Sequence, residues 1–277
     1  MTAELGRFEA AVFDLDGVIT FTARVHAAAW KELFDQYLRL RADHLGEPFR
    51  PFEQSDYQKY VDGKPRYDGV ASFLQSRDIH LPWGTPADSP EQETICGLGN
   101  RKNLLFNAKV REMGVDVDWE AVRFVRELRA RGARVGLASS SKNAIPILER
   151  AGLSDLFQAT VDGMDSERFG LRGKPQPDIF LFCLKKLLDH AFTPAEAAAA
   201  LARDPVVSEA RHAMVVEDAI AGVQAGRHGG FGLVLGVDRE HHAAALQENG
   251  ADMVIRDFRE ISAERVLEYF RSRARVA

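Results

Sequence analysis

Residues 8–18, FEAAVFDLDGV, decide the fold: an apolar run from Phe8 to Phe13 stops abruptly at Asp14-Leu15-Asp16-Gly17. A short apolar segment without alternation, cut off by a polar turn that contains glycine, reads as a strand buried on both faces. Comparable runs recur at 133–138 (ARVGLA), 158–161, 213–216 (AMVV), 232–235 (GLVL) and 252–255 (DMVI). Segments of helical period lie between and after them, at 119–131, 143–151, 178–190, 219–228 and 262–272. Strand and helix alternate, which predicts an α/β fold with a doubly wound parallel sheet. The stretch 22–113 breaks the alternation, with helical patterns at 22–41, 67–77 and 101–113 and no apolar strand. This predicts a helical domain at 21–114 inserted into a core made of 1–20 and 115–277, with 114–118 (GVDVD) as the return hinge. The tract 78–100, with three prolines and three glycines, reads as an irregular loop, and 195–200 (AEAAAA) as a plain surface helix.

Composition fits this reading. Among 277 residues, 45% are hydrophobic and 28% charged, with 22 Gly and 11 Pro, which excludes collagen-like and wholly disordered chains. The formal charge of −5 argues against a nucleic-acid footprint over the whole protein. Cys96 and Cys183 stand apart from each other and from any Cys/His cluster, so they read as buried thiols rather than a disulfide or zinc site. No stretch reaches the roughly 18 apolar residues of a membrane span, and Glu4, Arg7, Glu9 and Asp14 stand where a signal peptide would be apolar. The expectation is a cytosolic protein with no membrane or nucleic-acid partner.

Four segments carry chemistry. Asp14 and Asp16 follow the first strand at i and i+2, so an extended chain points both carboxylates to one face at the strand's carboxyl end, where open α/β sheets bind ligands. One acid can attack phosphorus while the other moves the proton. An Asx turn capping the loop at Gly17, or a fragment of a calcium loop, would use the same residues. Glu217 and Asp218 follow the run 213–216 in the same way. Four converging carboxylates need a compensating cation, and oxygen-only ligands with phosphate chemistry favour Mg²⁺. Capping of the helix near Ala219 is the plainer use of this pair, and capping by Asp218 is compatible with coordination. Ser139-Ser140-Ser141-Lys142-Asn143 lies between a strand and a helix, an arrangement that suits an anion as well as ordinary serine capping. Lys174, in GKPQPD, sits in a loop stiffened by prolines; alone it would read as a solvated surface lysine.

Together and in this order, DLDGV at 14–18, Ser139 after its strand, Lys174 in GKPQPD and Glu217-Asp218 in VVEDA resemble the four motifs of the haloacid dehalogenase superfamily. The stretches AVFDLDGVITFTARVHAAAWK, LASSSKN and GKPQPDIF are similar to its β-phosphoglucomutase family. The resemblance implies a Rossmann-like core with a helical cap. Asp14 would be the nucleophile and Asp16 the general acid/base, with Ser139 and Lys174 as phosphoryl ligands. Mg²⁺ would be held by Asp14, Glu217, Asp218 and the Asp16 backbone carbonyl. By the same likeness Thr22 and His26 correspond to residues that position the acid and relay its state. Arg66 corresponds to a grip on the distal phosphate, and Lys102 and Asn103 to sugar contacts. Ser141, Lys142 and Asn143 would touch the same ligand from the core. The family's reaction passes a phosphoryl group between β-glucose 1-phosphate and glucose 6-phosphate through an aspartyl-phosphate and a bisphosphate. The alternatives are a Mg²⁺-dependent sugar-phosphate phosphatase with the same acids, or a silent sugar-phosphate-binding module. A monomer or weak oligomer is expected. The chain departs from the family at Phe21, where an acid usually precedes Thr22, in the longer tract at 78–100, and at 162–173, read as an enlarged loop.

Overall fold

The computed structural model of the protein describes residues 8–188, 193, 195, 196, 198, 199, 207–239 and 241–274; the alanine-rich patch at 195–200 falls partly outside them. The chain divides into two compact units, Met1–Thr20 with Val117–Ala277, and Phe21–Asp116.

The first unit is built on a parallel sheet. Its strands are β1 (Ala10–Phe13), β2 (Arg134–Ala138), β3 (Ala159–Val161), β4 (Ala213–Glu217), β5 (Leu233–Val237) and β6 (Met253–Ile255), in the order β3-β2-β1-β4-β5-β6. All six arise from the apolar runs in the sequence. β1 and β4 are buried along their whole length, as a strand covered by helices on both faces must be. Register pairs Phe13 with Leu137 on one side and Val216 on the other, so β1, β2 and β4 end level. The strand order reverses at β1, which puts the ligand crevice of such a sheet beside the residues that follow β1 and β4.

The second unit is helical. Its elements are α1 (Ala23–Leu45), a turn α2 (Gln54–Asp56) running into a wider turn at Tyr57–Val61, α3 (Arg66–Ser76) and α4 (Ile95–Met113). Its core is aromatic: Phe34 stacks with Trp30 at 5.3 Å and meets Phe73 at 4.2 Å, and Phe52 meets Phe73 edge-on at 4.8 Å. Each such ring contributes about 2–3 kcal/mol through burial alone. α2 escapes a reading by hydrophobic period because a reciprocal Glu53–Asp56 capping box holds it instead.

The sheet is flanked by α5 (Trp119–Ala130), α6 (Ala144–Arg150), α7 (Gly163–Phe169), α8 (Asp178–Leu188), α9 (Ile220–His228), α10 (Ala243–Glu248) and α11 (Ala263–Ala274). α8 packs across β1, β2 and β3, and α9 against β4 and β5. Cys96 and Cys183 are both buried thiols outside any disulfide. Among the described residues no helix is long and apolar enough to cross a membrane.

Two loop expectations are corrected. The tract 78–100 is not irregular to its end, because α4 begins at Ile95. The Thr94 hydroxyl accepts from Gly97 N–H at 2.9 Å and donates to Asp88 at 2.6 Å, so a capped start outweighs the glycines at 97 and 99. The segment 162–173 likewise contains α7, nucleated by the Asp162 carboxylate, which accepts from Met164 N–H at 2.8 Å and Asp165 N–H at 3.0 Å. Thr94→Ala should lower stability by about 1 kcal/mol through loss of this cap. Urea unfolding would measure it, and an unchanged midpoint and slope would contradict the assignment.

Candidate active site

The β1–β4 ladder extends one residue past β1, with Asp14 N–H donating to Val216 O at 3.0 Å. The chain then turns back on itself: Leu15 O accepts from Ile19 N–H at 2.9 Å and Thr20 N–H at 3.0 Å, and Asp14 Oδ2 accepts from Asp16 N–H at 3.0 Å. Gly17 takes φ +82°, and a Cβ placed on it would lie 1.7 Å from Asp218 Oδ2. The position therefore demands glycine twice, for its backbone and for its neighbour. The Asp218 carboxylate lies directly on the backbone of the DLDG turn, so the two acidic segments, distant in sequence, form one cluster.

Lys174 binds that cluster together. Its ammonium donates to Asp14 Oδ1 at 2.6 Å and Glu217 Oε1 at 2.5 Å, with both lysine and glutamate almost wholly buried, and it sits 4.7 Å from the centre of the Phe180 ring. The second oxygen of Glu217 accepts from Ala219 N–H at 2.7 Å. A Cβ at Gly222 would lie 1.8 Å from Glu217 Oε1, so α9 carries a glycine where its first turn rides over the carboxylate. The Ala219 N–H at the start of α9 is thus met by Glu217, not by Asp218 as a capping pattern suggests. Burial works against the charge on Lys174, but Asp14 and Glu217 outweigh it and hold the ammonium above its ordinary range. Burial pushes the Asp14 carboxyl up to about 8; Glu217 and Asp16 push the same way, and Lys174 opposes them.

One buried cation faces four acids here, so the cluster has room electrostatically for a second. Glu217 is sealed from water with both oxygens engaged, while Asp14, each of whose oxygens also accepts one hydrogen bond, keeps some exposure, so the donors with access are Asp14, Asp218 and the Asp16 carbonyl. Among the described residues no three His, Cys, Asp or Glu side chains form a metal cluster. Two carboxylates and a carbonyl fit a hard divalent cation that completes its shell with water and substrate oxygens.

Ser139, buried, follows β2; its hydroxyl accepts from Ser141 N–H at 3.1 Å, and the Ser141 hydroxyl accepts from Asn143 N–H at 3.2 Å. The serines shape the loop rather than cap α6, whose N-cap is Asn143. α7 braces the same loop through Gly163 N–H to Ser141 O (3.2 Å) and Glu167 to Lys142 Nζ (2.6 Å). In this structure the Lys142 ammonium is thus committed to Glu167.

The remaining sequence-derived residues lie in the helical unit and fall into two pairs at one level of α4. Thr22 is buried at the N-cap of α1, and His26 N–H donates to its carbonyl at 2.9 Å. Lys102 Nζ meets His26 Nδ1 at 2.6 Å, so the imidazole accepts there and carries its proton on Nε2. Phe106 stacks on His26 at 4.0 Å, and the Lys102 ammonium lies 4.9 Å from the Trp30 ring. One residue on, Asn103 Oδ1 accepts from Arg66 Nη2 at 2.9 Å.

Sequence reasoning missed Arg239. Its guanidinium donates to Gly17 O at 2.7 Å and to Asp118 at 2.5 Å, clamping the turn after β1 to the start of α5. A lone arginine after β5 gives no signal of this.

Paired acids, a buried lysine and a serine loop at the carboxyl ends of a doubly wound sheet define a class of α/β proteins built to handle a phosphoryl group. A family model described as haloacid dehalogenase-like hydrolase matches residues 8–230. The chain is 42% identical to the β-phosphoglucomutase of Mycobacterium bovis and 30% identical to that of Bacillus subtilis, covering 92% of each and of itself. A crystal structure of β-phosphoglucomutase from Clostridium difficile superposes with a TM-score of 0.68 at 23% identity, over 96% of this chain and 99% of that one. The chain belongs to the β-phosphoglucomutase family of haloacid dehalogenase-like hydrolases.

The raised Asp14 carboxyl yields a sign for stability. An acid whose folded pKa exceeds its ordinary value of 3.8 costs stability as pH climbs from about 4 to about 8. In metal-free buffer the Tm difference between Asp14→Asn and the wild type should therefore move in the variant's favour as pH rises from about 5 to about 8, by a few degrees, since about 1 kcal/mol corresponds to roughly 2–4 °C, on top of a pH-independent cost of removing a partner of Lys174. A difference that is flat with pH would contradict the buried charge.

Proposed function

We propose that the protein interconverts β-glucose 1-phosphate and glucose 6-phosphate by passing a phosphoryl group through Asp14. The observation that carries this reading is the Asp14 carboxylate, buried at the sheet's switch point and oriented by Lys174 and by the Asp16 N–H. With Oδ1 on the lysine and Oδ2 on a backbone donor, its side-chain torsions are fixed, and a fixed carboxylate attacks phosphorus without first being ordered.

Asp14 attacks the phosphorus of the bisphosphate, and the bond to the sugar oxygen breaks. Asp16, two residues on in the same turn, gives the departing oxygen its proton. In the reverse transfer Asp16 takes a proton from the attacking hydroxyl. Ser139 and Lys174 hold the oxygens of the transferring group, and Lys174 offsets the negative charge that builds on them. Glu217 is a positioning residue, since it fixes Lys174 and is itself fixed by Ala219 N–H. Asp14, Asp218 and the Asp16 carbonyl would hold Mg²⁺, which when bound shields the carboxylate from phosphate repulsion and neutralises charge in the transition state.

The sugar's second phosphate needs its own cation. Arg66, oriented by Asn103, supplies a planar fork suited to two phosphate oxygens. His26, whose Nδ1 meets Lys102 Nζ, and Thr22 are the helical unit's contribution to setting the acid. Ser141 and Asn143 offer donors from the serine loop to the same sugar phosphate.

³¹P NMR of β-glucose 1-phosphate with Mg²⁺ and catalytic glucose 1,6-bisphosphate tests the reading. Glucose 6-phosphate is expected; release of inorganic phosphate alone would overturn it in favour of a phosphatase. Asp16→Asn should slow turnover by about 10²–10⁴-fold with an unchanged circular dichroism spectrum, the range for losing a positioned acid/base. A rate within twofold of wild type would remove Asp16 from that role.

A further inference from the structure

At the opposite end of the sheet from Asp14, the amino ends of β4 and β5 border a cavity of about 330 Å³ whose walls include Arg211, His212, Arg227, Phe231, Phe270 and Arg273. That volume is at the lower end of small-molecule sites. Its location follows from the topology. Arg211 and His212 lie just before β4, Arg227 in the last turn of α9 before β5, and Arg273 in the last turn of α11, which returns from the far end of β6.

Three guanidiniums and an imidazole line this cavity, and among the described residues no lining residue is acidic. Asp252 stands behind them, almost buried; Oδ2 accepts from Val234 N–H at 2.9 Å, while Oδ1 takes Arg227 Nη2 at 2.7 Å and has Arg273 Nη2 at 3.8 Å. One carboxylate is thus divided between two arginines. Glu209, the acid beside Arg211 in sequence, accepts from the Ser208 hydroxyl at 3.0 Å.

Two of the arginines partly serve the main chain: Arg227 donates to Gly250 O at 3.0 Å and Arg273 to Gly232 O at 3.2 Å. Those bonds tie the two arginines to the segments that lead into β5 and β6. The Arg211 guanidinium makes no main-chain bond among the described residues; its Nε donates to His212 Nε2 at 3.1 Å. Among the described residues neither Nη group of Arg211 has a hydrogen-bond partner. An exposed guanidinium whose Nη donors meet no protein acceptor, with two further guanidiniums beside it, matches the several acceptor oxygens of a phosphoryl dianion better than the two of a carboxylate.

We propose that this cavity is a second anion site, distinct from the Asp14 centre, that binds the phosphoryl group of a small phosphorylated molecule. The site shares β4 with the catalytic cluster, at its other end, and uses none of the residues assigned to catalysis.

The test is phenylglyoxal footprinting of the wild-type chain in EDTA, with inorganic phosphate replaced by chloride at constant ionic strength in the control, read residue by residue by peptide mass spectrometry. Phosphate is expected to slow modification of Arg211 and Arg273 by about tenfold, the effect of one or two charge-assisted hydrogen bonds, and to leave exposed Arg265 unaffected. Arg211→Ala should keep its Tm and turnover yet need about tenfold more phosphate to protect Arg273. Protection by phosphate no greater than by chloride, or equal protection of Arg273 in Arg211→Ala, would overturn the proposal. Because the readout is at these arginines, phosphate bound near Asp14 cannot imitate it.

Discussion

The site depends on a buried ammonium held between two carboxylates from different strands. Lys174 reaches Asp14 at the end of β1 and Glu217 at the end of β4, and with Glu217 it is nearly sealed from water. Removing one partner of such a buried group typically costs about 3–5 kcal/mol, because the charges left behind have no solvent to turn to. Much else near the site follows from this constraint. Gly17 and Gly222 are the two places where backbone must pass against Asp218 and Glu217, and neither tolerates a side chain. Arg239 holds the Gly17 carbonyl from the far side, so the turn that aims Asp14 is pinned at both ends. The ion triad is not a device for stability, since an apolar filling would serve that better. It keeps the nucleophile in place at the cost of a raised Asp14 carboxyl.

The helical unit handles its polar groups differently. Its interior is a stack of phenylalanines, and its two polar pairs lie on α4 at consecutive residues, His26 with Lys102 and Arg66 with Asn103. Adjacent residues on a helix point about 100° apart, so one helix serves partners on both α1 and α3. Lys102 is buried against Trp30 and Phe106 and spends its charge on an imidazole lone pair and two aromatic faces.

What could be read in the sequence was what rests on local pattern. Each strand was visible because a strand covered on both faces is a continuous apolar run, and the acids were visible because they end such runs. Among the helices that went unseen, α7 and the first two turns of α4 are set by single capping side chains, Asp162 and Thr94, against a background rich in glycine, while α2 and α10 are too short for a hydrophobic period to show. The hydrogen-bond partners of Glu217 were also hidden. Its neighbours suggested a metal ligand or a cap, and only the fold shows one oxygen on Lys174, 43 positions away in the chain, and the other on Ala219. Arg239 was invisible for the same reason, since its partners at Gly17 and Asp118 are more than a hundred residues distant.

The claim beneath the whole account is that Asp14 itself carries the phosphoryl group. Quenching the protein in acid during turnover of glucose 1,6-bisphosphate, reducing with borohydride and mapping peptides by mass spectrometry addresses it directly, because reduction converts an aspartyl-phosphate to homoserine. The account predicts homoserine at position 14, and only when substrate was present. Homoserine at position 16, or none at 14 in a protein that is turning over, would contradict it.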